Sequence, residues 1–202
     1  MKSVLLVIDV QNDFCQGGAL EVKNGNDVIP VINSLVKSER FNLIIATQDW
    51  HPRSHKSFAS NHKNRNVYDM IKLRGIDQVL WPDHCIQRTK GARLHSELKD
   101  PEIDSYSGFY DNDHKSSTGL TNYLRKQQVN DVYIAGLATD YCVKFTALDS
   151  VKEGFKTYVI KDAVRGVNVN KDDSRKALND LRESGVKLVY SKRLKKKPSL
   201  RR

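Results

Sequence analysis

The chain has 202 residues, with 34 Lys and Arg against 24 Asp and Glu, a length that holds one domain with a proper core and not comfortably two. Of its ten net positive charges, seven fall in residues 192–202 (KRLKKKPSLRR), so the body is mildly basic and no protein built around a nucleic-acid footprint is implied. No apolar run approaches the ~18 residues of a membrane span, and three Cys make no disulfide framework, which points to a reducing, cytoplasmic setting.

Taken in chain order, short β-branched runs alternate with segments of helical periodicity, the pattern of an α/β fold with a parallel sheet. Residues 4–9 (VLLVID) read as a strand buried on both faces. The apolar stretch here meets Asp9 before any small-residue cleavage site of a signal peptide. Asp27 opens a helix with apolar spacing at Ile29, Ile32, Leu35 and Val36. Residues 43–47 (LIIAT) form the second strand, 121–126 a helix and 132–136 (VYIAG) the third strand. A helix over 141–152 stops at Gly154, a strand follows at 157–160, and a helix over 173–183 stops at Gly185 before a last strand at 186–190. The polar stretch 61–119 predicts no strand, and a loop of that length inside a compact domain is usually functional. The domain is expected over 1–190, with 191–202 a basic, disordered tail.

Ligands of open parallel sheets sit outside the carboxyl ends of the strands. Three polar features fall at such ends: Asp9, the Asp49–Trp50–His51 tripeptide, and the segment 136–142 (GLATDYC). Cys142 lies in the first turn of a helix, where free amides and the positive dipole end favour a thiolate and could hold an oxyanion. A buried structural Cys is the commoner fate of a lone thiol. Asp9 reads either as a cap for loop amides or as the base that takes the thiol proton, if burial raises its pKa toward neutrality. Asp49 and His51 face the same way in an extended segment. With the remote His84 they make a mixed O/N set suited to Zn²⁺, with His55 as an extra candidate. His62, His95 and His114 read as surface histidines and Cys85 as packing.

The blocks IDVQNDFCQGGAL, TQDWHPRSHKSFAS, WPDHCIQ, DSYSGFYDN and GLATDYCVKFTALD together resemble the nicotinamidases, cysteine amidohydrolases of the isochorismatase-like superfamily, from about Ser3 to Tyr190. The resemblance implies a Rossmann-like open parallel sheet flanked by helices, and the conversion of nicotinamide and water to nicotinate and ammonia in NAD salvage. It makes Cys142 the nucleophile, Asp9 the general acid/base, and the amides of Ala138 and Cys142 the oxyanion hole, after a cis peptide. It makes Asp49, His51 and His84 the metal ligands, with Zn²⁺ as the expected ion, and Phe14, Trp81 and Tyr106 the walls around a pyridine ring. Homo-oligomers are common in the family, and the basic tail adds a nuclear-import or polyanion-contact reading.

One departure stands out. The family carries a catalytic Lys at the end of a strand before the DSYS segment, whereas here LHSELK (94–99) runs into DPEIDSYSGF (100–109) with no apolar run between. One family strand is therefore expected to be missing, and in the order 3-2-1-4-5-6 it is an edge strand. Lys99 is the only Lys near the expected place, and it reads equally as the solvated end of a short helix. Three readings compete with a nicotinamidase: an amidohydrolase for another small amide, an inactive relative that binds pyridine carboxamides, and a nucleic-acid-associated protein using its tail.

Overall fold

The computed structural model describes residues 1–99, 108–109 and 117–194. A five-stranded sheet is built from β1 (Lys2–Ile8), β2 (Leu43–Ala46), β5 (Val129–Leu137), β6 (Lys156–Arg165) and β7 (Lys187–Val189), in the order β2-β1-β5-β6-β7. Every neighbouring pair in it is parallel. Four helices flank it: α1 (Val28–Val36), α2 (Leu120–Lys126), α3 (Cys142–Lys152) and α4 (Asp173–Glu183).

Alternation along the strands divides the core. On β1, Leu5 and Val7 join the Ile29, Ile32 and Leu35 face of α1. Val4, Leu6 and Ile8 point the other way, into a second layer with Leu124 of α2, Val143 and Ala147 of α3 and Leu181 of α4. Because both faces are covered, the central strands are apolar at nearly every position. Polar groups are therefore displaced to the strand ends, where the site forms.

Gly136 brings two of those ends together. Its φ is +119°, and a Cβ there would lie 2.1 Å from the Ile8 carbonyl oxygen, so only glycine lets β5 close on β1 beside Asp9. The register between β5 and β6 also shifts between Ile134 and Gly136, which turns the end of β5 away from the regular ladder.

Among the described residues β2 pairs with β1 alone; the segment after Lys99, where one family strand is expected to be missing, lies outside the described residues. Two expectations are corrected. The stretch 61–119, expected to hold no strand, contains the antiparallel hairpin β3 (Met70–Leu73) and β4 (Ile76–Val79). Its strands are four residues long and largely exposed, so the apolar signal is weak. The turn itself is legible, since Arg74 and Gly75 both take positive φ, as a two-residue hairpin loop requires.

Residues 191–194, expected to belong to a disordered tail, are structured. Residues Ser191–Arg193 form a 3-10 turn. The amide and hydroxyl of Ser191 donate to the Asp162 carboxylate at 2.9 and 2.6 Å. Leu194 is 6% exposed and packs into the α1-side core. One apolar residue among basic neighbours carried no readable pattern, yet it anchors the chain; residues 195–202 lie outside the described ones.

Candidate functional site

Asp9 follows directly on β1, takes a left-handed φ of 47° and is 4% exposed. Thr47, at the end of β2, holds it: its hydroxyl donates to Asp9 Oδ1 at 2.5 Å and accepts the Asp9 amide at 3.2 Å. Burial, and then the nearby Asp49 carboxylate, push Asp9 up to about 7, against the hydrogen bonds from Thr47 and Cys142.

Cys142 is the first residue of α3, and its thiol donates to the Asp9 carboxylate. The thiol sulfur and one carboxylate oxygen each of Asp9 and Asp49 all lie within 4.8 Å of one another. Burial and the two carboxylates push the thiol well above its usual range. Burial and the carboxylates thus act against the thiolate that the helix terminus favours, and Asp9 is the group placed to take the proton.

Before Cys142 the chain makes a tight turn. The Leu137–Ala138 peptide is cis. The Ala138 carbonyl accepts the amides of Tyr141 and Val143, each at 3.1 Å, and so folds residues 138–143 tightly over the start of α3.

Beside this pair, Asp49 Oδ2 lies 3.2 Å from His51 Nε2 and 3.5 Å from His84 Nε2. The three ligand atoms fall within 4.8 Å of one another. Burial acts to raise the Asp49 pKa, but hydrogen bonds and charge from the two imidazoles outweigh it and hold the carboxyl well below its usual range. The Pro82 carbonyl lies 2.7 Å from His84 Nδ1, a contact that turns Nε2 toward Asp49. One carboxylate oxygen and two imidazole nitrogens converging this way fit a divalent ion of zinc character with open positions. His55 stacks on His51 with ring centroids 4.2 Å apart, and its Nδ1 engages Ser57 Oγ at 2.7 Å.

The aromatic surroundings are partly as expected. The Phe14 ring lies 5.5 Å from His84, and Trp81 meets Tyr141 edge-on at 4.8 Å. Tyr106 lies outside the described residues. Phe58, which spacing did not single out, is fully buried, its ring 5.6 Å from His51 and 5.4 Å from His84.

Several supporting residues were also missed. Gln11 is wholly buried and binds the backbone of Asp49 from both sides: Oε1 accepts the Asp49 amide and Nε2 donates to the Asp49 carbonyl, both at 2.8 Å. The same Nε2 reaches Ala92 O at 2.8 Å. Asp13 Oδ2 accepts the Cys85 amide at 2.7 Å, and the Cys85 carbonyl accepts the His51 amide at 3.0 Å. The QND triplet thus braces the segments that carry Asp49, His51 and His84, through backbone contacts that no residue spacing announces.

Lys99 is not brought to this constellation. Its amide donates to Asn33 Oδ1 at 2.8 Å, the Asn33 side chain donates to the Glu97 carbonyl at 2.8 Å, and the Lys99 side chain is exposed beside Lys37. With Leu98 packed on the α1-side core and the backbone pinned to Asn33, the ammonium stays on the outer face of α1. Among the described residues no Lys or Arg is ion-paired to Asp9. Cys15 and Cys85 are buried packing residues, as read for Cys85.

Comparison with known proteins agrees with this geometry. The Isochorismatase domain family matches residues 3–192. The chain is 43% identical over 198 residues to the nicotinamidase of Escherichia coli K12, covering 91% of this chain and 92% of the relative. It superposes on an Acinetobacter baumanii nicotinamidase/pyrazinamidase with a TM-score of 0.90 at 41% identity, covering 96% and 98% of the two chains. It also superposes on the pyrazinamidase of Pyrococcus horikoshii in complex with zinc, at a TM-score of 0.71 and 36% identity over 94% and 99%. With the family match spanning nearly its whole length, and Cys142, Asp9 and the Asp49–His51–His84 cluster assembled at the strand ends, the chain belongs to the nicotinamidases of the isochorismatase-domain hydrolases.

Proposed function

We propose that the protein is a metal-dependent amidohydrolase that converts nicotinamide to nicotinate and ammonia through a Cys142 thioester, within NAD salvage in the cytoplasm. The observation that carries this reading is the contiguity of the Cys142–Asp9 pair with the Asp49–His51–His84 cluster, which Asp49 links to both. Three free thiols and no described helix long and apolar enough to cross a membrane accord with the setting.

Asp49, His51 and His84 would hold a divalent ion, which would supply Lewis-acid polarisation at the site when bound. The remaining work falls to the chain. Asp9, poised near neutrality, takes the Cys142 proton as sulfur attacks the carboxamide carbon. Charge growing on the carbonyl oxygen is met by the amides of Ala138 and Cys142. Asp9 returns the proton to the departing nitrogen, ammonia leaves, and water cleaves the thioester to release nicotinate and restore the thiol. Phe14 and Trp81 offer aromatic faces to a flat heteroaromatic ring.

The test is ammonia release from nicotinamide by purified protein, with and without a chelator and with an aliphatic amide as control. Zinc-dependent release specific to the heteroaromatic amide is expected. Release unaffected by chelation, or equal on the aliphatic amide, removes the metal or the substrate from the reading. One observation favours a second reading, a relative that binds pyridine carboxamides and turns them over slowly: Lys99 lies on α1, away from Asp9.

A further inference from the structure

The turn that carries the nucleophile is held from two sides. On one side α3 continues from it. On the other, the loop between β6 and α4 grips it through three hydrogen bonds. Thr139 N donates to the Arg165 carbonyl at 2.8 Å. Asp140 Oδ1 accepts the Val167 amide at 3.0 Å, and Oδ2 accepts the Asn168 amide at 2.7 Å.

Asp140 is only 9% exposed, and among the described residues it is ion-paired to no Lys or Arg. A carboxylate so buried is costly unless hydrogen bonds replace its water, and here consecutive backbone amides do so, one to each oxygen. The receiving loop is shaped for the contact. Asn168 takes a left-handed φ of 53°, and its side chain donates to the Gly166 carbonyl at 3.1 Å and accepts the Ser174 amide, in the first turn of α4, at 2.9 Å. Gly166 has no room for a side chain, since a Cβ would lie 1.9 Å from Ser174 Oγ and 2.9 Å from Asp140 Oδ1.

Asp140 thus sits between the two amides assigned to the oxyanion, Ala138 and Cys142, and is bonded to a neighbouring element rather than to the turn itself. We infer that Asp140 is a positioning residue for the oxyanion turn, tying residues 138–142 to the β6–α4 loop so that those amides keep the spacing a tetrahedral oxyanion demands. The inference rests on the reading of Cys142 and its two amides given under the proposed function. Its effect belongs to the transition state. A substrate whose carbonyl is still planar makes weaker use of the hole, so loosening the turn lowers turnover more than ground-state binding.

The test uses zinc-loaded full-length protein with Asp140→Ala, which removes both acceptors, and the isosteric Asp140→Asn, which keeps one oxygen and turns an NH₂ toward an amide. Asn decides the question if Ala does not fold. Four quantities are measured: zinc content, KM and kcat for nicotinamide, affinity for nicotinate, and affinity for pyridine-3-carboxaldehyde. The aldehyde reports the hole directly: the sulfur–carbon bond forms, the carbonyl pair moves onto oxygen, and that oxygen takes the thiol proton as a hemithioacetal. We expect kcat and aldehyde affinity each to fall at least tenfold in Asp140→Asn, with zinc content, KM and nicotinate affinity changed less than twofold. If the wild-type protein releases ammonia and binds the aldehyde while Asp140→Asn keeps both within twofold, the positioning role is overturned and the site reading stands. A uniform loss of zinc, ligand affinity and melting temperature in Asp140→Asn marks a merely structural role and also overturns it. Wild-type protein that neither releases ammonia nor binds the aldehyde overturns the reading of the site itself, and this inference with it.

Discussion

The proton shared between Cys142 and Asp9 sets what the site does at a given pH. Asp9 is raised to about 7, so its carboxylate form is the minor one below that pH and the major one above it. The thiol, held well above its usual range, depends on that carboxylate for deprotonation. Alkylation of Cys142 by a small reagent should therefore accelerate as pH rises through about 7 and then level off, which a mass-spectrometric time course reads directly. Cys15, pushed up to about 11 by burial and Glu97, and the fully buried Cys85 should label far more slowly. Equal labelling of all three would remove the base-assisted thiol. Gln11 offers a second residue-level test. Gln11→Ala leaves the Asp49 amide and carbonyl without their buried partners, and outer partners of metal ligands typically matter ~10–100-fold in metal affinity. Chelator-competition titration should show zinc affinity weakened by at least about tenfold; an unchanged affinity would leave Gln11 with a purely structural part.

Elements built on strong periodicity were legible, and those built on single contacts were not. The run VLLVID marked β1 because both of its faces are covered, and the Gly stops after α3 and α4 marked their ends. That Asp9, Cys142 and Asp49 lie together was legible because strand ends in a parallel sheet converge, whereas His84, remote in sequence, was read from the family resemblance. Asp140, Gln11 and Thr47 were not legible, since each acts through two or three hydrogen bonds across more than 25 residues of sequence. Leu194 belongs with them. Truncation of a buried Leu to Ala costs ~2–5 kcal/mol, and a site at the end of the chain relaxes readily, so the low end applies. At ~2–4 °C per kcal/mol for a chain of this size, Leu194→Ala should lower the melting temperature by roughly 4–8 °C. A chain ending at Tyr190 should fall at least as far, because it also loses the Ser191 bonds to Asp162. A chain ending at Leu194 should melt with the full-length protein. Equal melting of all these forms would show that the turn Ser191–Arg193 does not anchor the domain.

Over the whole molecule, the candidate site is a set of strand ends, and most of that set is in place among the described residues. β1 supplies Asp9, β2 leads to Thr47 and the Asp49–His51 segment, and β5 leads through Gly136 to Cys142, three adjacent strands whose ladders are intact. On the proposed reading, binding should accordingly persist, because Asp49, His51, His84, Phe14 and Trp81 all lie among the described residues. His51→Ala should lower zinc content while leaving the circular-dichroism spectrum and melting temperature close to those of the parent. Turnover makes a further demand, because a proton moves between two groups that already share one negative charge with Asp49 beside them. A cation at that point would ease the transfer, and Lys99 is placed on α1 instead. Replacing Lys99 with Ala should therefore change kcat/KM for nicotinamide by less than twofold. The parent itself should hydrolyse nicotinamide ~10²–10³-fold more slowly than the Escherichia coli relative, the scale on which one positioned proton-transfer or charge-stabilising group counts. A large fall in Lys99→Ala with the fold retained would mean that this Lys reaches Asp9 during turnover. Parity with the relative in both forms would mean that a Cys–Asp pair on this sheet needs no Lys beside it.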